Sequence, residues 1–316
     1  MIWIGVTLGI LSIIAIIILI TSYVCYRMVF YSPKRRELGE DEFEIPEGEI
    51  YEVFREEMVE WTKMTRSYPH EDLEIRSFDG LTLRGRYYEC KKGAITELLF
   101  HGYQGNAERD LSGGVARCFA LGRNALIIDH RASGRSDGSV ITFGINEKRD
   151  CLAWIDFAIR HFGADVKLII TGISMGAATV MMAAGEKLPE NVVCVLADCG
   201  YSSAKEIIKK VMTDMRLPAE LIYPFVRLGA RIFGRFSLEE TSPMEAVKRS
   251  CVPIIFIHGD TDGFVPHSMS ARLYDACASE HKKFVTVNGA GHGLAFPVDQ
   301  EGYLNALKDF QNECGF

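Results

Sequence analysis

The sequence predicts an α/β fold with a mostly parallel central sheet and helices on both of its faces. Three observations favour this fold: strand-like runs alternate with helix-like runs, a hairpin pattern precedes them, and 316 residues suffice for one large domain. The hairpin pairs Leu73–Ser77 with Leu81–Tyr88 around the turn Asp79-Gly80. It would add antiparallel strands at one edge of the sheet.

The elements after the hairpin follow in a regular order. Strands are predicted at Glu97–His101, Ala125–Asp129, Lys167–Thr171, Val192–Ala197, Pro253–His258 and Lys283–Val287. Helices are predicted at Asn106–Leu121, Asn146–Phe162, Ala177–Lys187, Ser268–Ala278 and Val298–Asn312. Residues 201–250 interrupt this order with two apolar helix-like runs, Ala204–Met215 and Ala219–Phe233. The stretch is too long for one crossover, so we expect a small helical cap over the site, at about 201–250.

The first 26 residues carry no charged side chain, and Ile10 to Ile20 is almost wholly aliphatic. A helix of that length spans the hydrocarbon core of a bilayer. The aromatic residues placed to anchor it at the two interfaces are Trp3 at one end and Tyr23, Tyr26 and Tyr31 at the other. A cleaved secretory signal is the rival interpretation, but it predicts a basic N-terminus and a small-residue cleavage site, and both are missing here. We therefore expect an uncleaved transmembrane anchor over residues 1–26.

Basic residues follow the anchor and predict its orientation. They are Arg27, Lys34, Arg35 and Arg36. The positive-inside rule places the rest of the chain in the cytoplasm, attached to the cell membrane. Residues 27–70 are predicted to be a linker that becomes an N-terminal helical decoration, with one amphipathic helix over Glu49–Arg66. The main domain is expected to cover residues 71–316.

Composition excludes several classes of function. The net charge of -7 is spread along the chain, and no basic block indicates a nucleic-acid partner. The nine cysteines are scattered and include no CxxC pair, which argues against a zinc site and a disulfide framework. We expect no metal and no organic cofactor, and the sequence does not indicate an oligomeric state.

Gly172-Ile173-Ser174-Met175-Gly176 follows the strand-like run that ends at Thr171 and precedes a helix-like run. This context is typical of a nucleophile elbow, a tight turn that projects a serine hydroxyl above the sheet. Small residues must flank the serine, because larger side chains would meet the neighbouring strand and helix. Ser174 is therefore the candidate nucleophile.

A serine hydroxyl needs a base to accept its proton and a carboxylate to orient that base. Parallel strands end at one edge of a sheet, so both groups are sought just after strands. His292 lies in a glycine-rich loop after the last predicted strand and is the candidate base. Asp198, Asp260 and Asp262 are the candidate acids, and the register His-Gly-x-x-Asp-x-x-Val-Pro favours Asp262.

Two further loops border the predicted site. An oxyanion needs donors, for which the sequence offers the backbone N–H groups of Met175 and Tyr103. Gly102 lets the second of these loops turn in close, and Asn106 fits a helix N-cap. The loop Asp129–Gly138 carries Arg131 and Arg135, which either read an acidic group of the substrate or, as we favour, hold the loop through Asp129 and Asp137.

These motifs together resemble the α/β-hydrolase superfamily, from about Glu71 to the C-terminus. The quoted motifs are His101–Gly105, Gly172–Gly176, the Asp262 loop and the Gly-His loop at His292, in matching order. The chain is most similar to membrane-anchored bacterial hydrolases of the prolyl oligopeptidase-like and monoglyceride-lipase-like types. The N-terminal anchor and the Glu-rich stretch from about Ser32 to His70 lie outside the shared pattern.

The resemblance implies an α/β-hydrolase fold and serine hydrolysis by a Ser-His-Asp triad. We expect this triad to cleave carboxylic esters through an acyl-enzyme. The apolar residues of the expected cap favour a partly hydrophobic small-molecule or lipid-like substrate. A lipase acting on monoacylglycerols, a peptidase, and a catalytically silent membrane-tethered binding protein remain as alternatives, because this superfold supports many chemistries.

Overall fold

The computed structural model describes residues 2–33, 39 and 41–316 of the chain. Within these residues, eight strands form one sheet in the order β1-β2-β4-β3-β5-β6-β7-β8. The strands are β1 Glu71–Arg76, β2 Thr82–Tyr88, β3 Thr96–Phe100, β4 Asn124–Ile128, β5 Leu168–Ile173, β6 Val192–Asp198, β7 Ile254–Gly259 and β8 Lys282–Val287. The hairpin strands β1 and β2 are antiparallel, β2 also pairs antiparallel with β4, and the strands from β4 to β8 are parallel.

Helices cover both faces of this sheet, as the alternating pattern predicts. They are α1 Ile2–Val29, α2 Glu49–Glu52, α3 Arg55–Ser67, α4 Ala107–Ala120, α5 Ile145–Phe162, α6 Met175–Ala184, α7 Ala204–Asp214, α8 Ala219–Ile232, α9 Pro243–Val247, α10 His267–Ala276, α11 Ala295–Val298 and α12 Gln300–Cys314. Two of the predicted helices are divided. The run Glu49–Arg66 breaks into α2 and α3 where Phe54 leaves the helical conformation. The last run breaks at Asp299, whose side chain caps α12 by accepting the Gly302 N–H.

The central strands are buried on both faces, which explains their continuous apolar runs. Glu97 interrupts the apolar run of β3: it lies fully buried and accepts hydrogen bonds at 2.5 Å from both Arg117 and Arg123. Burial alone would raise its pKa, but the two guanidinium groups lower the pKa of Glu97 to about 2. This buried ion cluster ties the middle of the sheet to α4.

Helix α1 divides into an exposed part and a docked part. The described side chains before Ser22 are almost all exposed, whereas Ser22, Cys25, Tyr26 and Phe30 are buried. Val6–Val29 is long and apolar enough to cross a membrane, with a mean hydropathy of 2.6 in its most apolar window. An N-terminal helix of this kind is typical of a membrane span or of a signal sequence. The basic residues Lys34, Arg35 and Arg36, used above to predict orientation, lie outside the described residues.

Helix α8 is the partner of the docked part of α1. The two helices approach closely at Gly229, where a Cβ atom would lie 2.4 Å from the Ser22 carbonyl oxygen. The ring of Tyr23 packs edge-on against Phe233 at 5.1 Å between centroids. Tyr26, which we expected at the membrane surface, is buried in this same interface. The apolar residues of the expected cap therefore pack largely against α1.

Phe30 fills the base of this interface and provides a test of it. It is fully buried, with edge-on contacts to Phe236 at 5.2 Å and Phe143 at 5.8 Å. Phe30→Ala is expected to lower the free energy of unfolding by about 3–5 kcal/mol, because it leaves a cavity that the surrounding rings cannot fill. Met28→Ala is the control, since Met28 is 64% exposed. Urea unfolding of both variants in detergent checks this, and equal losses would contradict the docking of α1.

Candidate active site

Ser174 lies at the sharp turn between β5 and α6, with φ at 56° and ψ at -113°. A positive φ is unfavourable for a residue with a side chain, so the packing around the turn must hold it in place. That packing explains both flanking glycines. A Cβ atom at Gly172 would lie 2.1 Å from the backbone of Gly176, and one at Gly176 would lie 2.0 Å from the carbonyl oxygen of Phe100. The local sequence therefore produces the predicted elbow.

The structure brings Ser174, His292 and Asp262 into one hydrogen-bonded chain. The Ser174 Oγ lies 2.9 Å from His292 Nε2, and His292 Nδ1 lies 2.7 Å from Asp262 Oδ2. A carboxylate can only accept, so Nδ1–H donates to Asp262 and Nε2 is left to accept from the serine hydroxyl. This is the tautomer that a general base requires. Ser174 lies 118 positions before His292, and the two meet because β5, β7 and β8 end at one edge of the sheet.

Asp262 is held in place by more than His292. Its Oδ1 accepts the backbone N–H groups of Phe264 and Val265, each at 2.8 Å. Its Oδ2 also lies 3.2 Å from Nε2 of the fully buried His258. Burial by itself raises the pKa of this carboxyl, but the hydrogen bonds from His258 and His292 outweigh it, and the pKa of Asp262 lies well below its usual value.

The other two candidate acids have different partners. Asp260 accepts the Gly289 N–H at 2.6 Å and so shapes the loop, as the sequence indicates. Asp198 accepts a hydrogen bond from the Tyr303 hydroxyl at 2.9 Å, and its burial raises its pKa. The structure therefore places Asp262, and neither rival, against His292. The sequence does not predict the contact of Asp262 with His258, which lies four residues before it at the end of β7 and is fully buried.

The predicted donors for an oxyanion lie beside Ser174. Met175 is the first residue of α6, where backbone N–H groups have no partner within the helix. Gly102 approaches so closely that a Cβ atom there would lie 3.6 Å from the Ser174 Cβ, and Tyr103 follows it. His101 braces this loop through a 2.7 Å contact between its Nδ1 and the Gly102 carbonyl, and Asp110 accepts the Gly102 N–H. Asn106 caps α4, as predicted.

The two arginines of the loop after β4 have structural partners. Arg131 is buried and pairs with Asp150 at 2.6 Å and with Asp79 at 2.9 Å. Arg135 pairs with Asp72 at 2.5 Å, and its side chain lies 3.7 Å from Asp129. The geometry therefore matches the interpretation of these arginines as loop supports. Of the two expected partners, Asp129 lies near Arg135, whereas Asp137 is replaced by other aspartates. Neither arginine lines the cavity described next.

A cavity of about 1020 Å³ opens at Ser174 and His292. Its roof is formed by the segment from Pro46 to Trp61, which contains α2 and the start of α3. No residue of 201–250 lines it, so the expected cap does not cover this cavity. Tyr51 projects into the same space, where burial and the nearby acidic groups raise the pKa of its hydroxyl. The sequence does not predict this roof, although the amphipathic pattern over Glu49–Arg66 indicates an apolar face that another element must cover.

Cys199 lies next to the same three side chains. Its Sγ and the ligand atoms of Asp262 and His292 lie within 4.8 Å of one another, close enough for a metal ion. The carboxylate and imidazole atoms involved are already engaged with each other and with Ser174. Burial raises the pKa of the Cys199 thiol well above its usual value, which makes it a poor metal ligand at neutral pH.

The region of the chain that carries these side chains matches a known protein family. Residues 142–315, more than half of the chain, match the sequence profile of the prolyl oligopeptidase family. The matched region contains Ser174, Asp262 and His292, whereas Tyr103 and the roof segment precede it.

Relatives and solved structures agree on the fold. YqkD of Bacillus subtilis is 26% identical over 238 residues, covering 75% of this chain and 77% of the relative. Bem46 of Schizosaccharomyces pombe is 28% identical, covering 77% of each chain. The esterase Pf2001 of Pyrococcus furiosus superposes with a TM-score of 0.66 at 19% identity, over 90% of this chain and 98% of that one. Est1E of Butyrivibrio proteoclasticus, solved with ferulic acid, gives a TM-score of 0.58 at 21% identity, over 76% and 98%.

Proposed function

The chain belongs to the prolyl oligopeptidase family, and from that premise we propose that it is a membrane-anchored serine hydrolase that cleaves carboxylic esters. The observation that carries the proposal is the hydrogen-bonded chain from Ser174 through His292 to Asp262, with 2.9 Å and 2.7 Å between the heavy atoms. The fold that positions these residues is that of the α/β-hydrolases, which supports a hydrolase but leaves its substrate open.

The reaction proceeds in two halves. The Ser174 Oγ attacks the acyl carbonyl carbon while His292 Nε2 takes the hydroxyl proton, and Asp262 stabilises the resulting imidazolium. The tetrahedral intermediate then collapses as His292 gives the proton to the leaving alcohol, which leaves an ester of Ser174. Water attacks this acyl-enzyme by the same route, and the acid is released with Ser174 restored.

The backbone N–H groups of Met175 and Tyr103 hold the oxyanion in both halves. The first is fixed at the N-terminus of α6, whose dipole also favours negative charge. The second is fixed by the loop that His101 and Asp110 brace. Fixed donors of this kind stabilise the transition state without reorganising during the reaction.

Helix α1 anchors this enzyme to the cell membrane, with the hydrolase domain, residues 71–316, on the cytoplasmic side. Docking supports retention of the helix, because cleavage after the apolar segment would remove buried residues such as Cys25 and Tyr26 from the folded body. The basic residues that follow the helix support the orientation.

Fluorophosphonate labelling of the full chain in detergent micelles tests the proposal. Labelling of the wild-type protein is expected, together with turnover of p-nitrophenyl esters, and Ser174→Ala is expected to abolish the labelling. A folded wild-type protein that is neither labelled nor active on any ester would favour the silent binding protein. Labelling combined with cleavage of p-nitroanilides, and not of esters, would favour the peptidase that the family relationship makes the second candidate.

A further inference from the structure

The cavity at Ser174, called the groove from here on, is lined in part by apolar side chains from two segments of the chain. Helices α2 and α3 supply one wall and the segment 294–298 supplies the other. The principal apolar side chains are Ile50, Phe54, Met58, Trp61, Leu294 and Phe296. The volume of about 1020 Å³ lies at the upper end of the range of roughly 300–1,000 Å³ typical of small-molecule sites. An acyl group much larger than acetyl fits this space.

Direct contacts hold the two walls together. Ile50 lies over the loop of the catalytic histidine, where a Cβ atom at Gly291 would be 3.2 Å from the Ile50 Cδ1. Trp61 packs on Phe296 with 5.5 Å between ring centroids. Gly113 leaves room for the same indole, since a Cβ atom there would lie 2.7 Å from it. The roof segment thus contacts the loop of His292 at Ile50 and the segment 294–298 at Trp61.

The two arginines that line this groove are already paired with acidic side chains. Arg109 contacts Asp110 at 2.6 Å, and Arg117 contacts Glu97 at 2.5 Å. A peptide would need partners for its own backbone N–H and C=O groups, because leaving them buried without partners is costly. The apolar side chains and paired arginines of this groove therefore favour binding of a hydrocarbon chain over binding of a peptide.

One loop that lines the groove contacts the C-terminal end of α1. Burial of α1 begins at Ser22, and Val29 lies seven residues further on, about 10 Å along the helix axis. The Val29 carbonyl accepts a hydrogen bond at 2.8 Å from the hydroxyl of Tyr103, whose backbone borders Ser174. Val29 is also the last residue of the apolar span Val6–Val29, so this contact ties the loop beside Ser174 to the end of the helix at which the chain would leave the bilayer.

Three of the apolar side chains that line the groove are partly exposed to solvent. Ile50, Phe264 and Val298 are 49%, 42% and 37% exposed, and all three line the groove. An exposed apolar rim around a groove marks a surface that meets an apolar partner. With α1 in the bilayer, the nearest such partner is the membrane itself.

We propose that this groove binds a long acyl chain and that the substrate is a long-chain ester taken from the adjacent membrane leaflet. The inference rests on the proposed serine hydrolase, whose Ser174 would attack the ester carbonyl while the acyl chain lies in the groove against the roof segment 46–61. It assigns the roof segment 46–61 as the determinant of chain-length selectivity.

Blocking the groove provides the test. Met58→Trp fills it, and Glu56→Trp is the matched control that adds the same ring to an exposed position of the same helix. The full chain in micelles is assayed on p-nitrophenyl esters from acetyl to palmitoyl, and in phosphatidylcholine vesicles on embedded monooleoylglycerol. Met58→Trp is expected to lower the ratio of long-chain to acetyl turnover about tenfold, whereas Glu56→Trp leaves it within about twofold.

The outcomes separate this inference from the function on which it rests. A wild-type enzyme that is labelled by fluorophosphonate but prefers acetyl ester overturns the acyl groove and retains the serine hydrolase. Equal ratios in the two tryptophan variants overturn it as well. Cleavage of dispersed long-chain esters without cleavage in vesicles retains the groove and overturns the membrane source. If Met58→Trp does not fold, Phe54→Ala replaces it, with an expected rise in KM for long-chain esters only.

Discussion

Replacing Ser174 by alanine is expected to lower the turnover of an activated ester roughly 10⁴-fold to 10⁶-fold, as the loss of a triad nucleophile does elsewhere. The reason is local. Without the hydroxyl there is no atom to form the acyl-enzyme, and His292 Nε2 has no proton to accept from that position. The fold should persist, because alanine retains the Cβ atom and can adopt the same backbone conformation at φ 56°.

The measurement compares the initial rates of Ser174→Ala with those of the wild type and of Ser237→Ala. Ser237 is an exposed serine outside the cavity, so its loss should change the rate less than about twofold. Thermal unfolding of all three proteins checks that they are folded. A Ser174→Ala variant with a wild-type rate on p-nitrophenyl acetate would remove Ser174 from the mechanism.

Much of the fold follows from periodicity, because strands and helices with apolar faces have few ways to pack. The alternation of elements from Glu97 to Asn312 predicts the parallel sheet, and the structure confirms that sheet. The side chains of the candidate site could also be predicted from order alone. Ser174, Asp262 and His292 each follow a strand, and parallel strands bring their carboxyl ends to one edge.

The covering elements could not be predicted, because an apolar face does not reveal which partner will cover it. Val226 in α8 and Phe233 just after it belong to an apolar face that another element must cover. The sequence pattern predicts that this face covers the active site. The structure instead packs that face against α1 and uses the segment 46–61 as the roof. Both contacts join residues far apart in sequence, and local pattern carries no information about such pairs.

The packing of α1 also links the anchor to the proposed chemistry. The Tyr103 hydroxyl is bonded to the last turn of α1, and its backbone is the proposed oxyanion donor. Phe143, which lies 5.0 Å from the Tyr103 ring, also contacts Phe30. A soluble variant that begins at Ser32 would therefore lose supports of the oxyanion loop as well as the anchor, so the full chain is the form to assay.

Asp262→Asn is expected to lower turnover by about 10⁴-fold, through the tautomer of His292 and with little loss of packing. The Oδ1 of Asp262 accepts two backbone N–H groups, from Phe264 and Val265. An asparagine must keep its carbonyl oxygen at that position, so its NH₂ group faces His292 Nδ1. That NH₂ can only donate, which forces the imidazole proton onto Nε2. An Nε2 that carries a proton cannot accept one from Ser174.

Asp260→Asn is the matched control for this prediction, since the same loop carries both residues and the Asp260 carboxylate accepts the Gly289 N–H. Its expected loss of turnover is less than about tenfold, because no group of the hydrogen-bonded chain changes its tautomer. A change of the His292 tautomer also predicts how the loss is divided between kcat and KM. The loss in Asp262→Asn should lie mainly in kcat and should appear equally with acetyl and long-chain esters, because the substitution leaves the groove unchanged. Equal losses in the two asparagine variants would mean that Asp262 supports only the loop, and the orienting carboxylate would have to be sought in Asp198.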